Sequence, residues 1–163
     1  MNELELWCSW YDEQQIVYFP LFGILNGACR CPLGKECGNS SGKHPKNKWG
    51  KRTVSKKPTD LDNIGVDTSN LIVIDVDTHN IPITDWPITF ASSTSKGYHL
   101  WFWASDDPEK RVMTKIRWQP HIDVKAVGGL IVAPPSKHYT GKMYEPLNEE
   151  SIQPIPLELL DLL

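Results

Sequence analysis

The sequence lacks several features, and each absence removes a class of function. It has no run of about 18 apolar residues, so no membrane-spanning helix is expected. The start, Met1-Asn2-Glu3-Leu4-Glu5-Leu6-Trp7, carries acids where a secretory signal carries bases, which argues against export and predicts a cytoplasmic protein. No G-x-x-x-x-G-K-[ST] loop is present, so phosphate binding of the P-loop kind is not supported. No G-x-S-x-G turn is present either, nor any internal repeat or low-complexity tract. Cysteine is scarce, with four in 163 residues; in a reducing compartment these are thiols, suited to metal binding rather than disulfides.

What is present describes a globular chain long enough for one domain, residues 1–163, with a sizeable core. Hydrophobic residues make up 40% and charged residues 23%, while seven Trp and thirteen Pro predict many short elements with bulky fillers. Net charge is −3, but it is unevenly spread. Residues 43–57 form a basic arm that holds seven of the 17 basic side chains (Lys43, Lys46, Lys48, Lys51, Arg52, Lys56, Lys57) and no acid. A basic arm on an acidic body suits contact with a phosphate backbone, or is a solvated loop.

The central stretch is Asn70-Leu71-Ile72-Val73-Ile74-Asp75-Val76-Asp77. Its unbroken apolar run, rich in β-branched residues, predicts a strand buried on both faces. Asp75 and Asp77, at i and i+2, then point to the same side. Two anions so close call for a cation, and a hard divalent ion such as Mg²⁺ or Mn²⁺ is the natural one. A solvated turn is the plain alternative.

Upstream, Ile16-Val17-Tyr18-Phe19-Pro20 reads as a strand closed by proline. Cys29, Cys31, Cys37 and His44 follow within sixteen residues, spaced C-x-C-x5-C-x6-H among Gly, Pro, Asn and Ser. A segment of that composition (27–47) cannot build its own core, and a tetrahedral Cys₃His structural zinc would order it. Cys8 is read as a small buried hydrophobe. Residues 60–66 run into a short strand, and 78–87 is a turning crossover without room for a long helix.

Downstream, residues 88–103 read as strand, polar turn and strand. His99, Trp101 and Trp103 share one face, with Tyr98, Leu100 and Phe102 on the other. The turn brings Ser95, Lys96 and backbone N–H groups near His99, a setting for phosphate oxygens; a buried histidine bonded to a carbonyl is the alternative. Residues 106–117 are helix-compatible, with Asp106 or Asp107 as cap and Pro108 in the first turn. A strand over 121–127 puts Asp123 and Lys125 on one face, as half of a metal–phosphate site or as a simple i, i+2 ion pair. Leu130-Ile131-Val132-Ala133 is a further strand, ended by prolines, with Ser136, Lys137 and His138 clustered after it. A short amphipathic helix begins near Pro156.

Together these pieces resemble the bifunctional primase–polymerase (prim-pol) domain of the archaeo-eukaryotic primase superfamily, as found in phage and plasmid replication proteins. The carriers are Asp75-Val76-Asp77 closing a strand, Gly97-Tyr98-His99, Ile122-Asp123-Val124 leading into Gly129-to-Ser136, and the cysteine stem closed by Gly42-Lys43-His44-Pro45. The resemblance implies a compact α/β (α+β) fold of small sheets and short helices around an active-site cleft, with a zinc stem. It implies that Asp75, Asp77 and Asp123 hold two Mg²⁺ or Mn²⁺ ions, and that His99, Ser95, Lys96 and Lys125, with Ser136 and His138, bind an incoming dNTP or NTP. Lys46, Lys48, Lys51, Arg52 and the zinc stem would meet a DNA template or primer. It further implies that the chain is the N-terminal part of a larger replication protein, which in relatives often carries a helicase module, working in an infected or plasmid-bearing prokaryotic host. Gly97 replaces the serine common at its position, and the connections 44–63 and 77–88 are short, so a minimal version is expected, with primer extension ahead of de novo priming. The competing readings are a two-metal nuclease and a catalytically silent, zinc-dependent DNA-binding module.

Overall fold

The computed structural model describes residues 1–47 and 54–163. Of the expected DNA contacts, Lys48, Lys51 and Arg52 lie outside the described residues. In chain order the elements are α1 (Glu3–Glu13), β1 (Tyr18–Phe22), β2 (Ile24–Leu25), β3 (Ala28–Cys29), β4 (Asp62–Asp67), β5 (Leu71–Val76), β6 (Ala91–Ser93), β7 (Tyr98–Trp103), β8 (Lys115–Gln119), β9 (Ile122–Lys125), β10 (Leu130–Ala133), β11 (Gln153–Pro154) and α2 (Leu157–Leu160). The result is a mixed α+β fold of small sheets and few helices. Two compact units are formed, one from Met1–Asp67 with Ile131–Glu145, the other from Thr68–Leu130 with Pro146–Leu163.

The first unit is built on the sheet β1-β4-β10. Helix α1 was not anticipated, although its start is written in the sequence. Asn2 and Glu5 close a reciprocal capping box, with Glu5 N donating to Asn2 Oδ1 at 2.9 Å and Asn2 N to Glu5 Oε2 at 2.8 Å. Glu3 and Glu5 in the first turn also suit the helix dipole. The helix buries Tyr11, whose hydroxyl donates to the Pro134 carbonyl at 2.7 Å. Pro20 does not close its strand but lies within β1, opposite Ile64. An edge strand has one side free of ladder bonds, which is where proline is tolerated. Cys8 is buried, as expected.

In the second unit a six-stranded sheet has the order β11-β7-β5-β9-β8, with β6 also pairing β7. The β-branched run of β5 takes the centre, antiparallel to β7 on one side and to β9 on the other. One face buries Ile72, Ile74, Val76, Leu100, Phe102, Ile122 and Val124, against which the tail packs Ile155, Leu159 and Leu160. The tail helix α2 starts after Pro156, as the sequence predicts. The helix expected over 106–117 does not form. Asp107 does cap a turn, but only the 3₁₀ segment Pro108–Lys110, and from Lys115 the chain adds a strand to the edge of β9. Ladder pairing with β9 outweighs a cap signal worth about 1 kcal/mol.

Gly97 has a steric reason. A Cβ there would stand 1.9 Å from the carbonyl oxygen of Val76, so no side chain fits where β7 enters the sheet beside β5.

Candidate active site and metal centre

Strand register assembles the carboxylate site. Asp75 in β5 faces His99 across β7 and Asp123 across β9. Directly opposed residues share a face of the sheet, so the row His99–Asp75–Asp123 crosses three adjacent strands on the side away from the apolar core. Asp77, two residues beyond Asp75, continues on that side, and its backbone N–H is tied to the His121 carbonyl at 2.8 Å.

The side chains in this row are engaged. His99 Nε2 lies 3.3 Å from Asp75 Oδ1, and the two side chains are only 6% and 15% exposed. Asp77 is held above the usual carboxylate range, first by partial burial of its carboxyl and then by Asp75 and Asp123, with Lys96 and His99 pulling the other way. Partial loss of water is thus the main cause, and the nearby anions add to it more than the nearby cations offset. Asp123 has both oxygens occupied: Oδ2 accepts from Lys125 Nζ at 2.7 Å, and Oδ1 from the backbone N–H of Arg117 at 2.7 Å. The i, i+2 ion pair foreseen as the plain reading is therefore present, but in an interior strand rather than on an exposed edge.

Arg117 had no sequence signal. The register between β8 and β9 is irregular from Lys115 to Gln119, and Arg117 sits there at φ 54. This bulge aims its N–H at Asp123. Ser95 and Lys96 occupy the turn between β6 and β7, where Thr94 Oγ1 accepts from the N–H groups of Lys96 and Gly97 at 3.4 and 3.0 Å.

Ser136 and His138 belong to the first unit, whereas the carboxylates belong to the second. Ser136 is 1% exposed, and its hydroxyl accepts from Ile64 N at 2.7 Å and donates to Ile64 O at 3.4 Å. His138 is buried, with its Nδ1 2.8 Å from Thr140 Oγ1 and its ring 4.3 Å from that of Tyr139. Lys46, the described member of the expected DNA contacts, pairs with Asp62 at 2.9 Å. A concavity of ≈ 720 Å³ is lined by residues of the first unit including Glu5, Asp12, Asp60 and a single lysine, Lys57. That lining is a poor host for a triphosphate.

The second constellation is the cysteine stem. The ligand atoms of Cys29, Cys31, Cys37 and His44 all lie within 4.8 Å of one another. His44 Nε2 is 3.3 Å from Cys29 Sγ and 3.1 Å from Cys37 Sγ. A tetrahedral zinc with bonds of about 2.0–2.3 Å needs ligand separations near 3.5 Å, so the set fits. Burial, then the neighbouring sulfurs of Cys31 and Cys29, push the Cys37 thiol up to about 11. Burial also opposes ionisation of Cys31, but hydrogen bonds from Cys29 and the Leu33 backbone outweigh it and lower its pKa. A second thiolate beside the first thus lacks a compensating cation, which zinc would provide. Four ligands close the shell, as in a structural site. Among the described residues this is the only group of three or more such side chains drawn so close together.

Asn63 joins this stem to its own unit, and no sequence pattern marks it. Its amide nitrogen donates to Gly42 O and Lys137 O, both at 2.9 Å, while its oxygen accepts from Lys137 N at 3.0 Å.

No helix among the described residues is long and apolar enough to cross a membrane. No curated protein matches the chain. Residues 10–158 match the family described as bifunctional DNA primase/polymerase, N-terminal (Prim-Pol), a span that contains the carboxylate row, His99 and the whole Cys₃His cluster. Covered over most of its length by that match, the chain belongs to the Prim-Pol family.

Proposed function

We propose that the chain catalyses template-directed nucleotidyl transfer to DNA, with primer extension as its core reaction. The observation that carries this reading is the cross-strand row His99–Asp75–Asp123 with Asp77 beside it, on the face of the central sheet opposite the Ile72–Ile74–Val76 side. Asp75, Asp77 and Asp123 would hold divalent ions, Mg²⁺ or Mn²⁺. Such ions, when bound, neutralise charge on the attacking 3′-oxygen and the departing pyrophosphate. What favours such ions is the donor set: strand register puts Asp75 and Asp123 side by side, Asp77 follows on the same side, and partial burial and then the neighbouring carboxylates hold Asp77 above its usual range.

The chain's own groups bind and orient. His99, nearly buried and packed between β5 and β6, offers a fixed ring rather than a mobile one, and fixed donors cost less entropy when a ligand is seated. Lys96, at the tip of the adjoining turn, and Lys125, in the row behind, supply ammonium groups for a triphosphate. A zinc ion held by Cys29, Cys31, Cys37 and His44 would serve the fold of the stem, not the reaction.

A metal-dependent nuclease would use similar carboxylates but has no need of a triphosphate grip. Titration of dATP in the presence of Mn²⁺, without primer or template, separates the two. Wild type binds the nucleotide, and His99→Ala weakens binding about tenfold or more, since a hydrogen bond to a charged group contributes about 1.5–3 kcal/mol. Equal affinity in the variant, or no dATP binding by wild type, would contradict the reading.

A further inference from the structure

We infer that Lys125 is a resident counter-ion of Asp123 that keeps the second cation position closed until a nucleotide draws the ammonium away. The inference rests on the nucleotidyl-transfer reading. Its starting point is that each Asp123 oxygen already accepts a hydrogen bond: Lys125 Nζ sits 2.7 Å from Oδ2, and the Arg117 N–H lies 2.7 Å from Oδ1. The two contacts differ in kind. The Arg117 N–H belongs to the backbone of a bulge and cannot leave without moving β8. Lys125 ends a four-carbon stem with rotatable bonds, so its ammonium can leave while the sheet stays as it is.

Charge bookkeeping gives the same result. Three carboxylates, Asp75, Asp77 and Asp123, are faced by two lysines, Lys125 on Asp123 and Lys96 acting on Asp77. His99 stands beside Asp75, its Nε2 3.3 Å from Oδ1. Without a ligand one negative charge is left over, and with Lys125 on Asp123 it falls at Asp75 and Asp77, which call for one divalent ion. A triphosphate carries more negative charge than one carboxylate, and ammonium groups shift to it. Once Lys125 turns to the phosphates, Asp123 Oδ2 is exposed and uncompensated, a ligand for a second ion. Lys125 thus couples occupancy of the second cation position to nucleotide arrival. Its position suits the exchange: in β9 it lies one register row from Asp123, opposite Val73 and on the same face.

The test counts Mn²⁺ ions by electron paramagnetic resonance on the zinc-loaded chain, without primer or template, before and after adding dATP. Wild type takes up one Mn²⁺ alone and a second with dATP. Lys125→Met, which keeps the apolar stem but removes the charge, takes up two without nucleotide, and Mn²⁺ raises its melting temperature more than it raises that of wild type. Lys125→Arg, which keeps the charge, binds one until dATP is added and controls for folding. One ion in wild type and still one in Lys125→Met overturns the inference while leaving the function intact, as does uptake of two by wild type without dATP. No Mn²⁺ bound by any of the three overturns both.

Discussion

At the scale of one residue, Asp77 carries a charge that the fold disfavours. Its folded-state pKa is raised, by partial burial and then by Asp75 and Asp123, so the folded chain holds that proton more tightly than the unfolded chain does. With a folded value above the unfolded one of about 3.9, stability falls as pH rises through that window and stays lower above it. In metal-free protein, Asp77→Asn should therefore melt a few degrees higher than wild type at pH 7 and at the same temperature near pH 3, where the native carboxyl is protonated in both states. Calorimetry at the two pH values checks this; a variant less stable at pH 7 would contradict it. Asp77 was legible in the sequence because alternation along a strand needs only residue order. Arg117 was not, because what it supplies is an N–H aimed by a bulge, and a bulge depends on pairing between strands rather than on the identity of the residue.

The elements divide along the same line. β5 and β7 were readable because their patterns are local, an unbroken β-branched run and an alternation of His99, Trp101 and Trp103 with Tyr98, Leu100 and Phe102. The long-range register that sets His99 and Asp123 opposite Asp75 is not contained in either strand alone. Residues 106–117 read as helix-compatible because the cap signal at Asp107 is local, whereas the pairing of Lys115 onward with β9 is not. α1 was overlooked despite a local signal, since its aromatic residues mask the helical period while Asn2 and Glu5 mark its start. The stem between β3 and β4 was legible as a metal segment from spacing alone, but its link through Asn63 to Gly42 and Lys137 was not. We expect one zinc per chain by metal analysis. Stripping it with a chelator should lower the melting temperature by several degrees and expose the amides of Gly42 to Lys46 to hydrogen exchange, because metal-binding energy is folding energy in a segment without a core. Unchanged melting and protection after zinc removal would show that the thiols are incidental.

At the scale of the molecule, the two candidate sites fall in different units. The Cys₃His cluster lies in the unit formed by Met1–Asp67 and Ile131–Glu145, and the carboxylate row in the unit formed by Thr68–Leu130 and Pro146–Leu163. The family match runs through segments of both. A net charge of −3 argues against a nucleic-acid surface spread over the whole protein, whereas a divalent ion needs only the local field of a few carboxylates. The proposed function requires these carboxylates for nucleotide transfer under template control. Extension of a labelled primer on a defined template, with dNTPs and Mg²⁺ or Mn²⁺, tests it most directly when wild type and Asp75→Asn run side by side. Elongation that follows the template and falls by at least a hundredfold in Asp75→Asn is the predicted result. Wild type that binds the primer–template without elongating it, or a variant that elongates as well as wild type, would contradict the account.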